Sequence, residues 1–151
     1  MSKAVFPIYE EHYIRSPIQL IAGYGWQKLI ALRVDESGVT LGGAPGRHRQ
    51  QTARVPWQDI EAVVMWAHRT AGASPMRYVG VRRRPGAPEL PGPNRKLKPG
   101  TAAVLAPHID YEVFRASRTL VLWRVDPDRL EAAVSAFAPG VPVEFHREHW
   151  T

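Results

Sequence analysis

Apolar and polar residues alternate through "QKLIALRVDESGVTLGG" (27–43), with Ile30, Leu32 and Val34 on one face and Leu29, Ala31 and Arg33 on the other. The turn "DESG" breaks the alternation and residues 39–41 resume it, so the segment reads as a β-hairpin. A loop, "GAPGRHRQ", follows. The next run, "QTARVPW", sets Ala53, Val55 and Trp57 on one side and Arg54 and Pro56 on the other. Pro56 ends that strand, Trp57 opens a turn, Asp59 offers an acceptor for the turn amides, and Ile60 leads on. The Trp57 indole is expected to pack beneath this corner. "IEAVVMWAH" and "RYVGVRRR" read as two more strands, with Val79 and Val81 pointing together. The first of them is apolar on both faces, which leaves Trp66 unplaced.

The pattern is weaker elsewhere. "FPIYEEHYI" reads as an edge strand, kept from a sheet centre by Pro7, and "SPIQLIAGYGW" as a helical turn or loop broken by Gly23 and Gly25. "PGAPELPGPNRKLKPG" (85–100) is too rich in proline and glycine for a central strand or a helix and predicts a mobile loop. "TAAVLAPHIDYEVFRAS" suggests a short strand, a turn at Pro107 and an irregular piece. "RTLVLWRV", apolar on both faces, predicts a central strand. In "VDPDRLEAAVSAFAPG", Asp126 is an N-cap, Pro127 the first helical residue and Asp128 a complement to the helix dipole. Leu130, Ala133, Val134 and Phe137 form one apolar stripe, and Pro139-Gly140 stops the helix. Antiparallel strands followed by one amphipathic helix predict a single α+β domain. Its expected form is a bent sheet or partly open barrel, plugged at one end by Leu130, Val134 and Phe137.

"ALRVDESGVTLGG", "RVPWQDIEAVVMW" and "RTLVLWRVDPDRLEAAVSAFAPGVPV" together resemble the bacterial pleckstrin-homology-like (PH-like) domains, over roughly residues 27–143. The resemblance implies a strongly bent antiparallel β-sandwich or barrel of about seven strands, capped by one C-terminal helix. It also implies a binding or scaffolding module rather than an enzyme. Some such domains hold phosphoinositides through basic residues in the loop between the first two strands. The matching loop here, "DESG", is acidic, which argues against that site. Residues 1–26 lie outside the resemblance and receive no role from it.

Charge sharpens the picture. The net charge is +6, yet residues 45–105 hold eleven Arg or Lys against Asp59, Glu61 and Glu89, a local balance of +8. A functional anion-binding face competes with an ordinary solvated surface in an arginine-rich chain. The sharper hypothesis is that Arg82, Arg83 and Arg84 at a strand end, with Arg95, Lys96 and Lys98 across the loop, converge on an anionic group. The 82–98 interval has no aromatic residue for base stacking, which lowers nucleic-acid binding.

Other chemistry is thin. The absence of cysteine removes disulfides, thiol catalysis and thiolate metal sites. Ser nucleophile elbows and Gly-Lys-Ser/Thr phosphate loops are missing. His146 and His149 stand three apart with no evident third metal ligand, so no metal and no cofactor is expected. The N-terminus lacks the apolar core of a leader, and "SPIQLIAGYGWQKLIALRV" is too interrupted to span a bilayer, so a cytoplasmic location without a transmembrane segment is expected. The leading expectation is a non-enzymatic module for a protein or peptide partner, docking through residues 82–98 or by strand addition at a sheet edge. The alternatives are an anion, phospholipid or nucleic-acid binder using the same cations, and a small enzyme built on His68, His108 and Asp110. Pairing of copies through strand edges is a further possibility.

Overall fold

Residues 8–151 are described by a computed structural model. Pro7, and the first residues read above for a leader, lie outside them. One sheet holds β1 (Tyr9–His12), β2 (Ile30–Asp35), β3 (Gly38–Leu41) and β4 (Ala53–Pro56), antiparallel in that order. The hairpin forms where the alternation put it, with Asp35 opposite Gly38. Gly38 has φ of 144°, and the Val55 carbonyl occupies the place a Cβ would take, so a side chain is excluded there. The Asp35 carboxylate accepts from the Ser37 N–H and from Arg33 Nε, each at 2.8 Å, which closes the acidic turn on itself. Trp57 begins a short 3₁₀ turn (Trp57–Asp59) and packs partly buried against the core. Its Nε1–H donates to the Asp35 carbonyl at 2.8 Å, hitching the corner to the hairpin turn.

The second sheet runs in the order β7-β6-β5-β8, from β5 (Ile60–His68), β6 (Met76–Arg83), β7 (Ser117–Thr119) and β8 (Val143–Phe145). β8 lies parallel to β5, and the other pairs are antiparallel. This sheet is covered on both sides. Val63, Met65, Val79 and Val81 join Leu32, Val34 and Val55 of the first sheet in the main core. Ala62, Val64, Trp66 and Tyr78 face the other way, with Ala102 and Ala106 in and beyond α3 (Pro99–Leu105) and with Val113 and Phe114 of α4 (Tyr111–Arg115). Burial on two faces explains the near-continuous apolar run of β5. Trp66 is fully buried, stacks on Tyr78 with ring centroids 4.1 Å apart, and donates Nε1–H to Ser117 Oγ at 2.9 Å.

The C-terminal helix α5 (Pro127–Phe137) forms as its pattern requires. The Asp126 side chain accepts from the Arg129 N–H at 3.2 Å. Leu130, Ala133 and Val134 enter the main core, and Phe137 packs at its margin. The wider architecture departs from a barrel capped by one helix. Among the described residues there are two four-stranded sheets and five helices, α1 (Pro17–Ile21) and α2 (His48–Gln51) completing the set, and no closed barrel. Residues 101–117, read as a short strand and an irregular piece, instead hold most of α3 and all of α4. "RTLVLWRV" is no central strand: only Ser117–Thr119 pairs, at a sheet edge. Leu122 then takes φ of 66°, which ends extended pairing and turns Val121 and Leu122 outward while Trp123 is buried. No helix among the described residues is long and apolar enough to cross a membrane.

Candidate functional site

The site is built around a buried arginine. Arg118 on β7 is 2% exposed and has no carboxylate partner among the described residues. Its hydrogens go to main-chain carbonyls: Nε to Gly42 at 3.0 Å, Nη2 to Gln51 at 2.9 Å and to Pro91 at 3.0 Å, and Nη1 to Ser117 at 3.3 Å. One guanidinium therefore joins the end of β3, the end of α2 and the proline-rich segment. Burial lowers its pKa to about 10, and it remains cationic at neutral pH. Tyr13 donates its hydroxyl to the same Gly42 carbonyl at 3.2 Å, and burial pushes its pKa up to about 12.

The segment expected to be a mobile loop carries many anchors. Beyond Arg118, Asn94 Nδ2 donates to the Phe114 and Ser117 carbonyls at 3.3 and 3.4 Å. The Tyr111 hydroxyl donates to the Leu97 carbonyl, and Leu90 packs on the main core. Gly92 lies flat over the guanidinium, where a Cβ would stand 2.7 Å from Arg118 Nη1.

Between this segment and α2 lies a cleft of about 390 Å³. Arg47, Gln50 and Gln51 form one wall, and Pro91, Gly92, Pro93, Arg95 and Lys96 the other. Three cations line it and no carboxylate does. Arg95 Nε also contacts Glu89 at 3.2 Å, and Glu89 in turn accepts from Arg115 Nη2 at 2.7 Å. The Arg95 hydrogen bond, with Arg115 behind it, holds the Glu89 carboxyl below its usual range.

Of the six cations singled out in the sequence, Arg95 and Lys96 line this cleft. Arg82 is instead tied to Glu144, with Asp110 at 3.6 Å. The Arg83 side chain donates to the Pro88 carbonyl, Arg84 is exposed, and Lys98 borders a shallow apolar surface with Val104 and Leu105. Arg47, the residue before α2, lies outside that set because "GAPGRHRQ" reads as a loop in the sequence. The local signal was the absence of any acidic residue from position 37 to 58.

The histidines gather differently from the expected set. His68 is buried, with Nε2 at 2.9 Å from the Tyr78 hydroxyl and Nδ1 without a hydrogen-bond partner. His108 donates Nε2–H to the Ala67 carbonyl at 2.8 Å, and the His149 ring lies 5.4 Å from it. Burial first, then His108 and His149, lower the His68 pKa. Asp110 is engaged by Arg82, and His146 contacts Glu144 at 3.4 Å. Among the described residues, no group of three His, Asp or Glu side chains is placed to hold a metal ion. Comparisons with protein-family models, with curated protein sequences and with solved structures return no match to this chain.

Proposed function

We propose that the protein is a non-enzymatic binding module that takes an acidic segment of a protein or peptide partner into the cleft between α2 and residues 91–96. The observation that carries this reading is the charge of the opening: Arg47, Arg95 and Lys96 surround it with no lining carboxylate. Behind them Arg118 adds a buried positive charge balanced only by carbonyl dipoles. Guanidinium groups suit bidentate contact with carboxylates. The anchored walls reduce the ordering cost of binding. A volume of about 390 Å³ suits one or two inserted side chains rather than a whole folded partner. A PH-like origin of the hairpin, corner and final helix belongs to the same proposal. In that reading the partner surface is the proline-rich segment, since the acidic turn spends Asp35 on Arg33 and Ser37.

The test is calorimetric titration with a glutamate-rich peptide and its neutral glutamine counterpart at two salt concentrations. Salt-sensitive binding of the acidic peptide is expected, weakened about tenfold by Arg95→Ala with Lys96→Ala. Equal binding of both peptides, or no binding to either, would sink the proposal. Inorganic phosphate serves as competitor, and its displacement of the peptide would assign a simple anion to the same cleft.

A further inference from the structure

The segment from Ile14 to Lys28 is built inside out. On α1 the single polar side chain, Gln19, is 0% exposed, while Ile18, Leu20 and Ile21 are exposed, Ile21 by 88%. Gln19 Nε2 donates to the Gly25 carbonyl at 3.0 Å and to the Gln27 carbonyl at 2.8 Å, which binds the following loop beneath the helix. Gly23 and Gly25, with φ of 88° and 65°, make the loop tight enough to reach it. That loop presents Trp26, also exposed. A soluble helix normally turns such residues inward, and a cluster of large apolar side chains on the outside marks an interaction surface.

The surroundings say what it meets. Ile18 lies over Gly46, at 3.3 Å from where a Cβ would be, so α1 abuts the loop that carries Arg47. The Arg49 N–H donates to the Tyr24 hydroxyl at 2.9 Å, and the Arg49 guanidinium sits 5.7 Å from the Tyr24 ring centre. Lys28, Arg49 and Arg54 line one small depression beside Tyr24, with no carboxylate. Arg15, Lys28, Arg47, Arg49 and Arg54 are all exposed and take part in no ion pair among the described residues. No acidic residue occurs from position 12 to 34. Two copies pressed together here would oppose like charges. Ile21 projects rather than lining a groove, which disfavours a peptide laid along the surface.

We infer that α1 and its loop dock onto an anionic lipid bilayer, with Ile18, Leu20 and Ile21 entering the acyl boundary, Trp26 at headgroup level and the unpaired cations on the lipid phosphates. Apolar insertion and basic attraction are the two signals that reversible membrane attachment combines. This gives residues outside the hairpin-to-helix frame a role, on a face that meets the acidic-peptide cleft at Arg47 but does not include Arg95 or Lys96.

The test is co-sedimentation of the full chain with vesicles of phosphatidylcholine alone and with vesicles of equal parts phosphatidylcholine and phosphatidylglycerol, at low and high salt. Salt-sensitive binding to the anionic vesicles is expected, reduced about tenfold or more by Ile21→Ser with Trp26→Ser. Both positions are exposed, so the variant's unchanged thermal unfolding provides the folding control. Quenching of tryptophan by brominated acyl chains is expected to disappear in Trp26→Phe. Arg95→Ala with Lys96→Ala is expected to retain vesicle binding, which separates this inference from the cleft. Absence of binding to anionic vesicles would overturn it, as would undiminished binding by Ile21→Ser with Trp26→Ser. So would a concentration-dependent dimer that the same double substitution dissolves, because the face would then belong to a second copy.

Discussion

Arg118 on β7 and Pro91 in the proline-rich segment are joined by a 3.0 Å hydrogen bond from Nη2 to the carbonyl oxygen. The same guanidinium serves carbonyls of Gly42 and Gln51, so one buried side chain sets the distance between the two walls of the cleft. Replacing it by Met keeps much of the volume but takes the guanidinium donor from the Gln51 and Pro91 carbonyls and leaves Gly42 only the Tyr13 hydroxyl. Arg118→Met is expected to cost about 3 kcal/mol, read as a lower urea midpoint. Arg118→Lys is not expected to rescue it, because one ammonium cannot reproduce the planar fork. Wild-type stability in either variant would remove Arg118 from its structural role.

Gly92→Ala tests the cleft more gently. Its Cβ would lie 2.7 and 2.9 Å from the two terminal nitrogens of Arg118, which are themselves held by carbonyls and have little room to yield. The segment must lift, at a cost of about 1–3 kcal/mol. Acidic-peptide affinity is expected to fall although no charge is removed. Calorimetry beside urea unfolding reads both effects, and no change in either would show that the segment tolerates displacement.

Alkaline pH should unfold the protein through its buried phenols. Tyr13 and Tyr78 are 6% and 5% exposed, and burial raises both to about 12 from the usual 10.0. The unfolded chain therefore loses these protons first. Their stabilisation is complete below about pH 10 and is lost as pH rises through about 12, worth about 3 kcal/mol for each tyrosine. Arg118 acts with the opposite sign: its folded pKa of about 10 lies below the ordinary 12.5, so its burial penalty is relieved over the same window. These two tyrosines, with Tyr9 also raised by burial, outweigh one arginine. Urea midpoints are expected to fall above about pH 10. Midpoints that stay flat through that window would contradict the burial of these hydroxyls.

The elements legible in the sequence are those whose signals are local. The β2–β3 hairpin follows from alternation and a turn, and α5 from an N-cap, a proline and one apolar stripe. The helices α3 and α4 were hidden because Pro99-Gly100 reads as a breaker, whereas Pro99 in fact opens α3. A clue was present in β5: a strand apolar on both faces requires cover on both, and one terminal helix cannot supply it. β7 misled for a related reason, since Leu120 and Trp123 are drawn to the core without the strand continuing past Thr119. At the cleft, Arg95 and Lys96 were visible as charges. Arg118 was not, because its meaning depends on carbonyls 27 to 76 residues away.

Leu130 and Phe137 lie on the same stripe of α5 but not at the same depth. Leu130 is fully buried between the helix and the first sheet, whereas Phe137 sits at the core margin. A cavity term requires that neighbours cannot collapse into the vacated space, and solvent beside Phe137 relaxes that condition. Leu130→Ala is expected to cost about 3–4 kcal/mol, and Phe137→Ala less than Leu130→Ala despite the larger side chain removed. Chemical denaturation of the pair orders them, and a larger loss at Phe137 would place the helix deeper at its C-terminal end.

Trp57 and Trp66 sit nine residues apart with opposite duties. Trp57 is partly buried, and its measurable anchor is the 2.8 Å bond to the Asp35 carbonyl. Trp57→Phe keeps the ring contact and removes that bond, for an expected loss of about 1 kcal/mol. Trp66 lies fully buried between β6 and α4, stacked on Tyr78 at 4.1 Å, with Phe114 edge-on at 4.7 Å. Trp66→Phe abandons both the Ser117 hydrogen bond and part of a dry aromatic stack, so it should cost about 2–3 kcal/mol. Because Ser117 directly precedes Arg118, loosening that contact should also weaken acidic-peptide binding, an effect Trp57→Phe should not have. Equal consequences for the two substitutions would mean that the second core, under α3 and α4, does not brace the cleft.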